Sequence, residues 1–329
     1  MNNSLSKIIK IETSLSFKDR LGACKVRLGF GRMSYSVLPG LYGIGNPDEN
    51  SLIFVSSNYK LTFDKLRKEL TGLNCFLLIL DTEGINVWCA ANKKTFGTSE
   101  LINRIEQTRL VEVVKGRSLI LPQLGAPGID SNEVTKQTGF AVDFGPIRAK
   151  DIKKYLENDC HATKEMRTVN FNFLDRLVLT PVELMSALKT ALFILGLVFV
   201  LNLFIPRTFD LTDFIIFLTT IITGTVIVPS LLPVIPSKFF AVKGWLVGLI
   251  ITSLLLYHFG YFEKQILLSV GYLFSMPAIA AYLALTFTGS TTFTSQSSVT
   301  KEVKLLLPFM IAFLGIGVIL LLINAFIGG

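Results

Sequence analysis

The sequence predicts two folds in one chain: an α/β domain over residues 1–183, then an all-α transmembrane domain of five helices over residues 184–329. Three observations carry this. Half of the 329 residues are hydrophobic and only 17% are charged, against about 25% in soluble domains. The charge is unevenly divided, since residues 184–329 hold 7 of the 32 Lys and Arg and 4 of the 24 Asp and Glu. The first part alternates short apolar runs with helix-like stretches, which is the pattern of a parallel sheet flanked by helices.

The same numbers exclude other classes. Disorder requires low hydrophobicity and high net charge. A disulfide-stapled scaffold requires more than four cysteines in 329 residues. The formal net charge of +8 fits Lys and Arg gathered at cytoplasmic flanks. A nucleic-acid surface would need a concentrated basic stripe, and none is visible.

In chain order, Gly29-Phe30-Gly31-Arg32 and the glycine-rich run Gly40 to Gly45 lack dinucleotide spacing and read as turns. Leu52–Ser56, Cys75–Leu80, Leu119–Leu121 and Phe140–Val142 read as strands. Thr62–Leu70 reads as a helix with Thr62 at the cap and Phe63, Leu66 and Leu70 on one face. Ser99–Thr108 sets Leu101, Ile102 and Ile105 on one side, and Ala149–Asn158 does the same with Ile152, Tyr155 and Leu156.

Five runs then approach the roughly 20 apolar residues that cross a bilayer: Leu184–Ile205, Phe214–Ile235, Gly244–Phe262, Gln265–Phe287 and Leu305–Ile327. Pro229, Pro233 and Pro236 should bend or end the second. Lys164, Arg167 and Arg176 precede span one, Lys238 and Lys243 separate spans two and three, and Lys301 and Lys304 precede span five. The alternate loops offset Arg207 with Asp210 and Asp213, and Lys264 with Glu263. The expected protein is therefore a multi-pass protein of the cell (inner) membrane, with its first domain cytoplasmic and its C-terminus outside. Met1 to Leu15 has no apolar run of a cleavable leader. Span centres without ionisable residues favour an anchor over a coupled transporter.

In parallel sheets, ligands sit beyond the carboxyl ends of the strands. The segments there are unusual: Asn58-Tyr59-Lys60-Leu61-Thr62, then Asp81 through Thr98, then Pro122-Gln123-Leu124-Gly125-Ala126-Pro127-Gly128. Three loops are expected to converge on one ligand. On composition alone, Cys89 between Trp88 and Ala90 reads as a small buried apolar residue, as do Cys24, Cys75 and Cys160. Cys160-His161 lacks the second ligand pair of a metal site, and no CxxC occurs.

The run Gly84-Ile85-Asn86-Val87-Trp88-Cys89-Ala90-Ala91-Asn92-Lys93, with Lys94-Thr95-Phe96-Gly97-Thr98 after it, resembles the signature of the mercury-methylating corrinoid protein family, HgcA. Pro39-Gly40-Leu41-Tyr42, Asn58 to Thr62, Leu121 to Gly128, Arg176 to Glu183 and Phe287 to Ser295 are similar to the family as well. The resemblance implies a Rossmann-like corrinoid-binding domain related to the corrinoid iron–sulfur protein large subunit, with a cobalamin-type cofactor. It places the Cys89 sulfur as lower axial ligand to cobalt and as the catalytic group. It assigns cofactor contacts to Ser56, Thr62, Asn86, Val87, Trp88, Cys89, Ala90, Lys93, Thr95, Gly97, Thr98, Gln123, Leu124, Gly125 and Ala126. The implied activity is a corrinoid-dependent methyltransferase that takes a methyl group from a folate-linked methyltransferase and passes it from cobalt to Hg(II). The implied partners are a two-cluster ferredoxin-like reductant of the HgcB type and membrane lipid, with no nucleic acid. A corrinoid methyl carrier for a different acceptor and a non-catalytic membrane corrinoid-binding protein are the alternatives.

The residue types suit that chemistry. A thiolate pushes electron density through a metal, as in haem enzymes, which favours departure of methyl with its bonding pair toward a soft cation. Lys93, Lys94 and the helix opening near Thr98 would favour the charged sulfur. Small Ala90, Ala91 and Gly97 would let backbone approach the ring. Asn92 stands where the family pattern has Gly; if that Gly takes positive φ, Asn is among the side chains that tolerate it.

Overall fold

The computed structural model describes residues 8–204, 209–290 and 296–327. Arg207, residues 1–7 of the Met1 to Leu15 stretch and residues 291–295 of the Phe287–Ser295 segment lie outside them. The chain divides into two compact units, Met1–Val26 with Phe30–Val169 and Arg27–Gly29 with Asn170–Gly329.

The first unit is a six-stranded mixed sheet: β1 (Ile9–Ile11), β2 (Gly40–Ile44), β3 (Leu52–Ser57), β4 (Cys75–Leu80), β5 (Ser118–Pro122) and β6 (Ala141–Gly145), in the order β1-β2-β4-β3-β5-β6. Helices α1 (Phe17–Arg27), α2 (Lys60–Glu69), α3 (Val87–Asn92), α4 (Thr98–Gln107), α5 (Leu110–Val113), α6 (Ser131–Thr138) and α7 (Ile152–Glu157) connect them. Strands β4, β3, β5 and β6 are parallel, which is the doubly wound arrangement with β3 as its switch strand.

The alternation of β4 shows why it reads as a continuous apolar run. Phe76, Leu78 and Leu80 enter one core with Val55, Leu101 and Ile105. Cys75, Leu77 and Ile79 enter the other, with Phe63, Leu66 and Tyr155. A parallel strand covered on both faces has no polar side to display.

Two expectations need correction. Gly40 to Gly45 is not a turn: Gly40–Ile44 is β2, and it runs antiparallel to β4 with Gly40 opposite Ile79 and Ile44 opposite Cys75. Glycine depresses strand propensity, but pairing with a buried neighbour overrides it. A Cβ on Gly43 would lie 3.2 Å from Ile8 and 3.3 Å from Pro47, so a side chain there would have to displace them. Second, α2 starts at Lys60 with Tyr59 as a cap that offers no side-chain bond; Thr62 sits inside the first turn.

The second unit contains α8 (Phe173–Leu177), α9 (Thr180–Phe204), α10 (Leu211–Ile222), α11 (Val228–Leu231), α12 (Phe240–His258), α13 (Tyr261–Lys264), α14 (Ile266–Thr286) and α15 (Gln296–Ile327). Among the described residues, five stretches are long and apolar enough to cross a membrane: Phe173–Phe204, Leu211–Leu231, Phe240–His258, Ile266–Thr286 and Ser297–Ile327. They pack through small residues, as membrane helices do where backbones must approach closely. A Cβ on Gly244 would sit 2.6 Å from the Ala280 carbonyl oxygen, and one on Gly317 2.7 Å from that of Gly271. A π-helical segment, Thr223–Ile227, precedes Pro229, and the helix ends at Leu231. The proline cluster thus widens and then stops the second span.

Two charged side chains inside this unit are committed to structure. Arg176, expected as a flanking charge, is buried and donates to the carbonyls of Ser230 (2.9 and 3.2 Å) and Phe171 (2.7 Å). Asp213, expected in a loop, is buried in the first turn of α10 and accepts from Tyr272 at 2.6 Å. The bundle therefore does carry a buried carboxylate, at the end of a span.

Candidate functional site

The carboxyl ends of β3, β4 and β5 meet at the switch strand, and side-chain bonds join the loops that follow. Asn58, just after β3, is buried. Its carbonyl oxygen accepts from the Thr82 amide and hydroxyl (3.1 and 2.9 Å) and from the Gly84 amide (3.0 Å). Its amide donates to Asp81 at 3.0 Å. One side chain therefore shapes the whole turn after β4, including the left-handed Glu83 and Gly84 (φ 58° and 70°).

That turn delivers the chain into a helix the sequence pattern does not announce. Asn86 caps α3, its side-chain oxygen accepting from the Cys89 amide at 2.9 Å. Val87, Ala90 and Ala91 face the core, which leaves Trp88 and Cys89 outward. Trp88 is 36% exposed and Cys89 is exposed. The reading of Cys89 as a buried apolar residue is thereby overturned. The same correction applies to Cys24 and Cys160, both exposed; Cys75 alone is buried, and burial pushes its thiol up to about 12.

The third loop is a 3₁₀ turn, Gln123–Gly128, pressed against the Cys89 segment. A Cβ on Gly125 would fall 2.5 Å from the Phe96 ring, and one on Gly128 only 2.1 Å from the Phe96 carbonyl oxygen. Gly97 is equally constrained, with the Lys94 carbonyl oxygen 2.6 Å from its would-be Cβ. The space a side chain would need at Gly97, Gly125 and Gly128 is thus filled by protein. Gly128→Ala should destabilise the full chain by about 1–3 kcal/mol through overpacking. Gly116→Ala, facing open space, should stay within about 0.5 kcal/mol. Thermal unfolding of the two variants in detergent checks this, and equal transitions would refute the packing argument.

The remaining expected contacts divide by placement. Ser56 is buried near the end of β3. Thr62 is half-buried in the first turn of α2, and Leu124 and Ala126 are half-buried in the 3₁₀ turn. Lys93 is exposed at the end of α3. The Thr95 and Phe96 amides close on the Ala90 carbonyl (3.0 and 3.2 Å), and the Thr95 hydroxyl reaches it at 3.5 Å. Thr98 is occupied locally: its hydroxyl accepts from the Asp130 amide at 2.8 Å. Asn92 is helical, and the positive φ falls on Lys94 (64°). Asn92 donates to the Trp88 carbonyl at 3.2 Å, so this position imposes no left-handed conformation.

Two buried polar atoms at this end have no protein partner, Ser57 Oγ and Gln123 Oε1. Ser57 closes β3 and Gln123 follows β5. The strands that carry them are neighbours, with Phe54 paired to Ile120. Buried polar atoms are almost always satisfied, so two orphans at the carboxyl ends of neighbouring strands mark a place for a ligand's polar groups. Gln123 was among the expected contacts. Ser57 was missed, although its position at the end of an apolar run, beside Ser56 and Asn58, was visible in the sequence. With Cys89 exposed nearby, the donor set fits a corrinoid: a soft sulfur for the metal and unsatisfied hydrogen-bonding atoms for the ring's amide periphery or nucleotide tail.

Residues 31–156 match the family described as the CO dehydrogenase/acetyl-CoA synthase delta subunit. The chain is 32% identical over 130 residues to the acetyl-CoA decarbonylase/synthase complex subunit gamma of Archaeoglobus fulgidus, covering 39% of this chain and 27% of that one. The subunit gamma of Methanopyrus kandleri is likewise 32% identical over 130 residues, with 39% and 28% covered. The corrinoid/iron-sulfur protein large subunit of Moorella thermoacetica is 30% identical over 111 residues, with 33% and 24% covered. The chain spans about a quarter of the length of these relatives. The similarity to a corrinoid protein family thus belongs to the α/β unit, within residues 31–156, and the five apolar helices lie outside the matched segment.

Proposed function

We propose that the chain is a membrane-anchored corrinoid-dependent methyltransferase, with Cys89 as lower axial ligand to cobalt and Hg(II) as methyl acceptor. The observation that carries the reading is an exposed Cys89 on a capped helical turn, together with two orphaned buried polar atoms at the carboxyl ends of the neighbouring strands of a doubly wound sheet. The similarity of residues 31–156 to proteins that include a corrinoid/iron–sulfur large subunit supports it.

A corrinoid bound here would supply a cobalt–carbon bond whose methyl group can leave with its electron pair to a soft cation. The protein's contribution is positional. Asn58 sets the turn after β4, Asn86 fixes the first turn of α3, and Val87, Ala90 and Ala91 anchor that helix in the core. Cys89 Sγ is thereby held on the outward face of the helix's first turn. Ser57 and Gln123 would bond the cofactor's polar periphery, and Trp88 offers an aromatic face beside the sulfur. Electrons would come from a two-cluster ferredoxin of the HgcB type and the methyl group from a folate-linked methyltransferase. In this reading the α/β unit lies in the cytoplasm and the five helices sit in the inner membrane.

A second reading is a corrinoid methyl carrier for another acceptor. Asn92 favours it, because this side chain stands beside Cys89 where the mercury-methylating pattern has Gly. The test is direct. Full-length protein loaded with methylcobalamin under reducing, anaerobic conditions should show a corrinoid visible spectrum and yield methylmercury on addition of Hg(II). A coloured protein that yields none favours the second reading, and a protein that binds no cobalamin refutes both.

A further inference from the structure

The membrane-helix unit holds a cavity of about 680 Å³ that none of the preceding chemistry uses. It forms where the segment after the second span, the start of α12 and the start of α15 come together. The two lysine-bearing loops that the charge distribution assigns to one side of the membrane thus meet in space. Three ammonium groups line it: Lys238, Lys243 and Lys301. Among the described lining residues the one carboxylate is already engaged, because Glu302 is buried and accepts the Ala241 amide at 2.6 Å at the head of α12.

Lys243 is buried and donates to the Leu232 carbonyl, so it forms the floor. Lys238 and Lys301 are exposed at the rim, and neither makes an ion pair with a described residue. Beside this charge runs an apolar wall of Leu232, Pro233, Phe239 and Phe240. The volume lies in the ligand range of about 300–1,000 Å³. Excess positive charge next to an apolar wall, at the ends of bilayer-length helices, matches an amphiphile with an anionic head.

We propose that this cavity binds the phosphate headgroup of an anionic phospholipid, with Lys238 and Lys301 on the phosphate and the apolar wall along the glycerol and upper acyl chain. The proposal rests on the five helices crossing a bilayer and is independent of the corrinoid reading. A zwitterionic lipid carries the same phosphate, but its trimethylammonium group would face the lysines at a cost.

The test is native mass spectrometry of the full chain in detergent, titrated separately with phosphatidylglycerol, phosphatidylcholine and inorganic phosphate. Phosphatidylglycerol should bind at one site at least about tenfold more tightly than phosphatidylcholine, and millimolar phosphate should not displace it. Lys238→Gln with Lys301→Gln should weaken that binding by about 10–30-fold, on the scale of roughly 1 kcal/mol per surface lysine. Both positions are exposed, so the bundle should still fold, and Lys264→Gln, outside the cavity, should bind as the parent does. Equal binding of the two lipids, or a double variant that binds unchanged, overturns the proposal. Displacement by inorganic phosphate overturns it as well, since the site would then take free phosphate. Membrane flotation of the same preparations separates these outcomes from failure of the membrane reading.

Discussion

Cys89→Ala is expected to abolish methyl transfer while leaving the fold intact. The side chain is exposed, so its loss leaves no cavity, and Ala is a better helix former than Cys. Residues that merely support a metal ligand typically change affinity or activity 10–100-fold. Removal of the ligand itself should therefore exceed about a hundredfold. The readouts are methylmercury formation and the visible spectrum of the loaded protein, which should change as sulfur ligation is lost. Asn86→Ala supplies the graded comparison, because it removes only the cap on the Cys89 amide and should cost about 1 kcal/mol of helix stability. If Cys89→Ala keeps parental activity and spectrum, sulfur ligation is refuted, whatever the acceptor.

The largest stability effect is expected at Arg67, far from the cysteine. Its guanidinium bonds Asp64 at 2.8 Å, Asp19 at 2.8 Å and the carbonyls of Glu12 and Ser14 at 2.5 and 2.9 Å. Lys60 bridges the same two carboxylates, each at 2.6 Å. This network ties β1, α1 and the turn between them to α2. Arg67 and Asp64 are nearly buried, so truncating the arginine strands charge rather than merely losing a pair. Arg67→Ala should cost about 3 kcal/mol or more. Lys115→Gln, which breaks an exposed pair with Glu49, should cost below about 1 kcal/mol. Denaturant unfolding of the full chain in detergent measures both, and equal costs would sink the argument.

The network also sets an acid limit. Burial raises the Asp19 carboxyl, but hydrogen bonds from Lys60 and Ser16 outweigh it, and the group ends well below the usual carboxylate range. A folded-state value below the unfolded one stabilises the protein above about pH 4. That stability drains away as pH falls through the folded-state value. Lys60→Met should therefore flatten the acid limb of the stability profile, and an unchanged limb would show that Asp19 does not carry it.

How much was legible depended on which residues speak for themselves. Cys75–Leu80 was readable as a strand because both its faces are buried, and the helices Thr98–Gln107 and Lys60–Glu69 because each shows one apolar face. The strand Gly40–Ile44 was hidden by its glycines, which make sense only opposite β4. The helix Val87–Asn92 was hidden by its length: six residues are too few to show a period, and what holds it is the Asn86 cap and the burial of Val87, Ala90 and Ala91. Arg176 and Asp213 looked like loop charges because sequence position does not reveal which carbonyl or tyrosine will come to meet them.

By itself, the sequence determined the division into a charged α/β part and an apolar helical part, and most of the strands. Composition and periodicity depend only on neighbours along the chain. It also carried the cysteine motif and, through it, the expected cofactor. Tertiary structure alone decided that Cys89 faces outward, that Ser57 and Gln123 are buried without partners, and that three lysines from two distant segments share one cavity. Each of these depends on strand register or helix packing, which bring together residues dozens of positions apart.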